Sequence, residues 1–259
     1  MGEKTSRMNI RHSRIVDHIG AREEASVQEL ARRFGVSVMT IRRDLLLLEQ
    51  AGRVTRTHGG AILSKPRIAE FAFVERGERY AEEKRAIARA AAARIEPGHT
   101  VALDSGTTTL EVAKTLAGIE RLTVLTSSLA IASVLYAHEN IETVLLGGTP
   151  RRGSPDLTGW LTEQNLRQFH VDHAIVGADG VIRDGAYTSA VDLSRICQAV
   201  LASGASSMLV ADHSKIGRPS FSRYAGLDAF DLIVTDTGVP RAARRWLDQA
   251  AKKVVYART

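Results

Sequence analysis

From Glu82 to the C-terminus, helix-length amphipathic stretches alternate with short apolar runs, and this alternation limits the possible folds more than any other feature of the chain. The runs are Thr100–Leu103, Leu122–Leu125, Thr143–Leu146, His173–Val176, Met208–Ala211 and Asp231–Val234, with Lys253–Tyr256 as a last candidate. Between them lie the helix-like stretches Glu83–Ile95, Leu110–Leu116, Leu129–Ala137, Trp160–Phe169, Asp192–Ser203 and Arg241–Ala251. A strand with no polar face has no side to give to water. Such strands, separated by helices, predict an α/β domain with a mainly parallel sheet covered on both faces.

In such sheets ligands bind beyond the carboxyl ends of the strands. Those ends are polar here. Asp104, Ser105, Gly106, Thr107 and Thr108 follow the first run, and Thr126 and Ser127 follow the second. Gly147 and Gly148 end the third, Gly177 the fourth, and Asp212 and Lys215 lie just past the fifth. Glycine lets backbone approach a ligand, hydroxyls donate, and a helix start attracts anions. Each loop alone reads as ordinary helix capping. Together they predict one effector site for a small phosphorylated sugar or polyol. No Gly-x-Gly-x-x-Gly, Walker A or Gly-x-Ser-x-Gly pattern is present. The single cysteine, Cys197, excludes an internal disulfide framework and reads as a small buried hydrophobe. No catalytic residue, metal ligand or cofactor is expected.

The first quarter has a different character. Residues 1–65 hold 12 Lys and Arg against 7 Asp and Glu, while the remainder holds 23 against 22. A local basic excess suits a polyanion. Ile10, Ile15, Val16 and Ile19 mark a first helix over about Met8–Ala21. Ser26 and Glu29 form a capping-box pattern opening a second helix, Val27–Phe34, which Gly35 can end. Ser37 caps a third helix in which Val38, Ile41, Leu45 and Leu48 share one face, and Thr40, Arg42 and Arg43 point away from it. A helix held from behind, with Arg and Thr forward, suits a DNA major groove. Arg53–Ile62, with the pair Gly59-Gly60, reads as a β-hairpin wing, its Arg53, Arg56 and His58 beside phosphates or backbone. The DNA-binding set is therefore Ser37, Thr40, Arg42, Arg43, Arg53, Arg56 and His58. The organisation expected is a winged helix-turn-helix over 1–62, a linker over 63–79 and an α/β domain over 80–259.

These motifs resemble the DeoR family of bacterial transcription regulators along nearly the whole chain. The stretch Val36-Ser37-x-x-Thr40-Ile41-Arg42-Arg43-Asp44-Leu45, then Leu48-Glu49-x-x-Gly52 and Arg56-x-His58-Gly59-Gly60-Ala61, is similar to the family's DNA-binding signature. Asp104-x-Gly106-Thr107-Thr108, Leu146-Gly147-Gly148 and Asp212-x-Ser214-Lys215 fit its C-terminal half. The resemblance implies a sensor domain like ribose-5-phosphate isomerase and the CoA transferases. It also implies a repressor that binds double-stranded operator DNA and is released by a phosphorylated sugar or polyol. Two places depart from the family pattern: Ser127 stands where Asn is common, and Leu193 and Cys197 where an acid and a lysine are. The alternatives are an isomerase-like sugar-phosphate enzyme with an accessory DNA-binding module, and a DNA binder without ligand control. A homo-oligomer is expected, because paired half-sites match two-fold symmetry. No run of about 18 apolar residues spans a membrane, and the N-terminus lacks a secretory h-region. The cytoplasm is the expected location.

Overall fold

A computed structural model describes residues 2–22, 24–50, 53–57, 59–63, 68–152 and 154–259. The chain divides into two units, Met1–Val74 with Arg152–Ser154, and Glu75–Arg151 with Pro155–Thr259. The first contains α1 (Gly2–Arg22), β1 (Glu24–Ser26), α2 (Val27–Phe34), α3 (Val38–Gln50), β2 (Val54–Arg56) and β3 (Gly60–Leu63). Ser26 Oγ accepts the Glu29 amide at 3.1 Å and so caps α2. Gly35 ends that helix in the left-handed region at φ 62, where a side chain would strain the backbone. The hairpin β2–β3 pairs antiparallel from Val54↔Leu63 to Arg56↔Ala61. On the other side of β3 lies β1, too short at three residues to leave an alternating signature in the sequence. Ile15, Ile19, Leu30, Ile41, Leu45, Leu48 and Val54 form the buried centre.

Two expectations change here. Val38, assigned to the buried face, is 37% exposed, because it begins α3 and lies past the edge of the core. The stretch read as a linker contains a regular helix, α4 (Ile68–Glu78). Gly52 and His58 lie outside the described residues.

The second unit follows the alternation closely. Its elements are α5 (Ala81–Ala92), β4 (Thr100–Leu103), α6 (Thr107–Leu116), β5 (Leu122–Thr126), α7 (Leu129–Leu135) and β6 (Ile141–Leu145). Next come β7 (Thr149–Pro150), β8 (Leu157–Thr158), α8 (Trp160–Leu166), β9 (Val171–Gly177), β10 (Gly180–Ile182) and β11 (Gly185–Thr188). The chain closes with α9 (Val191–Ser203), β12 (Gly204–Val210), β13 (Ser222–Ala225), β14 (Leu232–Asp236), α10 (Arg241–Ala250) and β15 (Val254–Ala257). The main sheet has seven strands in the order β15-β14-β12-β9-β4-β5-β6. Every ladder in it is parallel.

The pleat divides the core. Val101, Leu103, Val124 and Val210 face one way and pack with Ile87, Val112, Leu116 and Ile131 of α5–α7. Ala102, Leu125, Ala174 and Leu209 face the other way and pack with Leu166, Ile196, Val200 and Leu247 of α8–α10. Each large side chain buried in this way contributes about 1.5–3 kcal/mol of transfer free energy. The chain runs outward from β4 to β5 and β6, then returns to place β9 on the opposite side of β4. The strand order therefore reverses between β4 and β9, and a crevice opens at such a point. The small sheet β10-β11-β13 was not anticipated, since strands of three and four residues carry little pattern.

Candidate nucleic-acid interface and effector site

Ser37 Oγ accepts the Thr40 amide at 3.1 Å and caps α3. The Thr40 hydroxyl lies 2.9 Å from Ser37 Oγ, so both side chains help to start the helix. Arg42 and Arg43 follow on the exposed side, while Ile41, Leu45 and Leu48 are buried. Asp44 was not among the expected site residues. It is 3% exposed, and Arg11 grips it with two N–H bonds of 2.7 and 3.1 Å while His12 Nε2 lies 2.9 Å away. Burial acts to raise the Asp44 carboxyl, but the bonds from Arg11 and His12 outweigh it and hold the group below the usual carboxylate range. The helix that carries Arg42 and Arg43 is thus fastened to α1 by a charge cluster as well as by apolar packing. In the wing, the Arg56 amide donates to Glu49 Oε1 at 3.0 Å and its guanidinium lies 3.8 Å from the same carboxylate. Arg53 stands half-buried just before β2.

In the sensor unit, four neighbouring strand ends bring the expected loops into a row: β12 with Asp212 and Lys215, β9 with Gly177, β4 with Asp104–Thr108, and β5 with Thr126 and Ser127. The loop after β4 is shorter than expected, because α6 already begins at Thr107. Asp104 is 7% exposed. Its Oδ1 accepts from the Gly106 amide at 3.0 Å and from Thr109 Oγ1 at 2.6 Å, and its Oδ2 accepts the Gly177 amide at 2.7 Å. One carboxylate therefore ties β4 to β9 across the reversal point. Burial pushes its pKa up, against those hydrogen bonds. Cys197 Sγ is 4.0 Å from Oδ2, and burial raises that thiol well above its ordinary value.

Several other members are taken up by the fold. Thr126 Oγ1 accepts the Ser128 amide at 3.1 Å, and Ser128 caps α7. Ser127 is 2% exposed. Gly147 is enclosed by α8: its amide donates to Asn165 Oδ1 at 3.0 Å and its carbonyl accepts Thr162 Oγ1 at 2.7 Å. A Cβ at Gly148 would run into Thr162 Oγ1 and the Thr158 carbonyl. The double glycine thus lets α8 sit on the end of β6, a role the sequence could not separate from ligand approach.

The start of α6 has no side-chain cap, which leaves the Thr107 and Thr108 amides available. Ser105 Oγ donates to Asp156 Oδ2 at 2.7 Å, and Asp156, 1% exposed, also takes two bonds of 3.1 and 2.8 Å from Arg151. This orients a partly exposed guanidinium near the loop after β4. The sequence showed Arg151 in a loop but gave no sign of the carboxylate that aims it. Asp212 is 1% exposed and caps the 3-10 turn His213–Lys215 by accepting the Ser214 amide at 3.0 Å. Lys84 of α5 is buried beside it. Burial pulls that ammonium down to about 8, with Asp212 the main charge opposing the shift.

Two family models cover the two parts of the chain. Residues 11–67 match the DeoR-like helix-turn-helix domain and residues 79–237 the DeoR C terminal sensor domain. The transcriptional repressor AccR of Agrobacterium fabrum is 34% identical over 95% of this chain and 96% of its own. The glycerol-3-phosphate regulon repressor of Escherichia coli is 33% identical over 89% and 91%. Among solved structures, ribose 5-phosphate isomerase A from Methanocaldococcus jannaschii gives a slight likeness, with TM-score 0.39 and 17% identity over 52% of this chain and 54% of that one. A helix-turn-helix unit, a parallel α/β unit and relatives matched nearly end to end lead to one conclusion: the chain belongs to the DeoR family of DNA-binding transcription regulators.

Proposed function

We propose that this regulator is a repressor of genes for carbohydrate or polyol breakdown, and that a small phosphorylated metabolite releases it from its operator. The observation that carries the reading is α3, whose exposed Arg42 and Arg43 stand opposite a buried face and an anchored Asp44. Arg43 and Arg42 read base edges, Thr40 and Ser37 fix the start of the helix, and Arg53 and Arg56 meet phosphates from the wing. Relatives named as repressors, one of them of a glycerol-3-phosphate regulon, support the choice of repression and of effector class. At the strand ends, the Thr107 and Thr108 amides and hydroxyls, Lys215 and Arg151 receive the phosphate, and Ser105 helps to hold the Asp156 carboxylate that aims Arg151. Asp104, Gly106, Gly177, Thr126, Ser127, Gly147 and Gly148 shape that pocket, and Asp212 positions the turn carrying Lys215. The acceptor positions of Asp104 are filled by backbone and Thr109, which suits a sensor better than a general base.

The test is a fluorescence-anisotropy titration of the full chain against the DNA upstream of its own gene, with and without millimolar glycerol 3-phosphate, glucose 6-phosphate or inorganic phosphate. Tight binding weakened by a phosphorylated compound is the expected result. Binding no tighter than to unrelated DNA would refute the operator reading, and tight binding indifferent to every compound would refute release.

A further inference from the structure

Where α4 ends and α5 begins, the chain makes a turn that ordinary helix caps do not explain. Tyr80 occupies the left-handed region at φ 56, an unusual place for a residue with a large side chain, and it offers α5 no side-chain cap. The last carbonyls of a helix lack intrahelical partners and carry partial negative charge. Here they meet a buried lysine. Lys84, 3% exposed, donates its ammonium protons to the carbonyls of Arg76 and Arg79, the latter at 2.8 Å. Among the described residues no carboxylate pairs with it within ion-pair distance, and its hydrogen bonds go to these two carbonyls. Two strand-end loops bear on the same turn. The Tyr80 ring meets the edge of His213 with centroids 4.8 Å apart, and His213 is fixed to the buried Asp236 by bonds of 2.7 and 2.8 Å. Arg76 of α4 lies 3.8 Å from Asp179, in the loop after β9.

We propose that Lys84 is the positioning residue that holds the end of α4, the helix leading out of the DNA-binding unit, and that the turn after β12 acts on this junction through His213 and Tyr80. Any movement of Asp212–Lys215 is then passed to α4 by a ring contact and a two-carbonyl clamp, with no rearrangement of the sheet. This goes beyond the proposed metabolite reading, since it names the route rather than the ligand, and it can be tested with no ligand present.

Two variants of the full chain carry the test, with Lys84→Arg as the conservative control. Lys84→Met keeps the length and loses every donor. Tyr80→Gly relaxes the backbone and removes the ring. Amide exchange followed by mass spectrometry should show at least tenfold faster exchange over residues 75–80 in both variants, with β4 and β9 protected as in the parent. Affinity for the upstream operator DNA should change at least fivefold in both, and Lys84→Arg, which keeps a charged donor, should stay close to the parent in both measurements. Parent-like exchange at the junction would overturn the proposal, as would local loss of protection with unaltered operator affinity. Loss of protection throughout β4 and β9 in both variants would show a merely structural role and overturn it too. If the parent itself shows no operator preference, the repressor reading fails, and the exchange measurements alone decide the role of Lys84.

Discussion

Arg43 and Asp44 are neighbours on one helix, the first exposed and the second buried, and under the proposed function substitution separates them. Arg43→Ala should leave the melting temperature unchanged and weaken operator binding, with about 1–3 kcal/mol of base discrimination lost at one position in a gel-shift series of operator variants. Asp44→Asn should do the reverse first, costing roughly 1.5–3 kcal/mol of stability through the lost charged hydrogen bonds to Arg11 and His12. Its signature lies in the pH dependence. The Asp44 carboxyl is held below its ordinary value of 3.8, so its contribution is present above that pH and disappears as acid carries the pH through the folded value. Urea melts between pH 2 and 6 should therefore lose stability in the parent and change less in Asp44→Asn. The exposed position of Arg43 was legible in the sequence, as the residue opposite Ile41, Leu45 and Leu48. The sequence could not show the duty of Asp44, because the partners are 33 and 32 residues away and only the packing of α1 on α3 joins them.

The strands of the main sheet were readable because most carry a short apolar run, and their parallel pairing follows from the helices between them. The elements that escaped notice are those with no periodicity to detect: β1, the pair β7–β8 and the small sheet β10-β11-β13. The polar loops were legible as a group but not in their division of labour. Gly147 and Gly148 resemble a ligand approach, yet the atoms next to them belong to α8. Gly148→Ala should therefore be costly without any ligand, because the new methyl meets the Thr162 hydroxyl and the Thr158 carbonyl. The expected loss is about 1–3 kcal/mol, as for other overpacked sites, read from denaturant unfolding of the sensor unit. Unchanged unfolding would mean that α8 moves aside freely and that the glycine serves something else. At Asp104, the tie between β4 and β9 depends on two backbone amides, of Gly106 and Gly177, and on the Thr109 hydroxyl, which meet it only in the folded chain and which no spacing rule contains.

At the scale of the whole chain, charge and ligand linkage give the tests. The basic excess lies in residues 1–65, so operator affinity should fall with salt, with a slope near −0.9 per phosphate contacted. An effector that weakens DNA binding by 5–150-fold must itself be bound more weakly by that same factor when operator is present. Calorimetry with glycerol 3-phosphate, repeated on the operator complex, checks this, and equal affinities in the two experiments would exclude coupling. Light scattering should show a dimer or larger assembly, as paired half-sites require. A monomer with full operator affinity would contradict that. The attachment of α3 has a further consequence, which concerns descent rather than binding. Its support comes from Asp44, Ile41, Leu45 and Leu48, while Arg42 and Arg43 are exposed and make no hydrogen bond or ion pair among the described residues. If those two arginines read the operator as proposed, a duplicated copy of the gene can change them, and with them the promoter it recognises, while the fold stays nearly as stable as before. New regulatory targets become reachable by single steps, each leaving a protein that still folds.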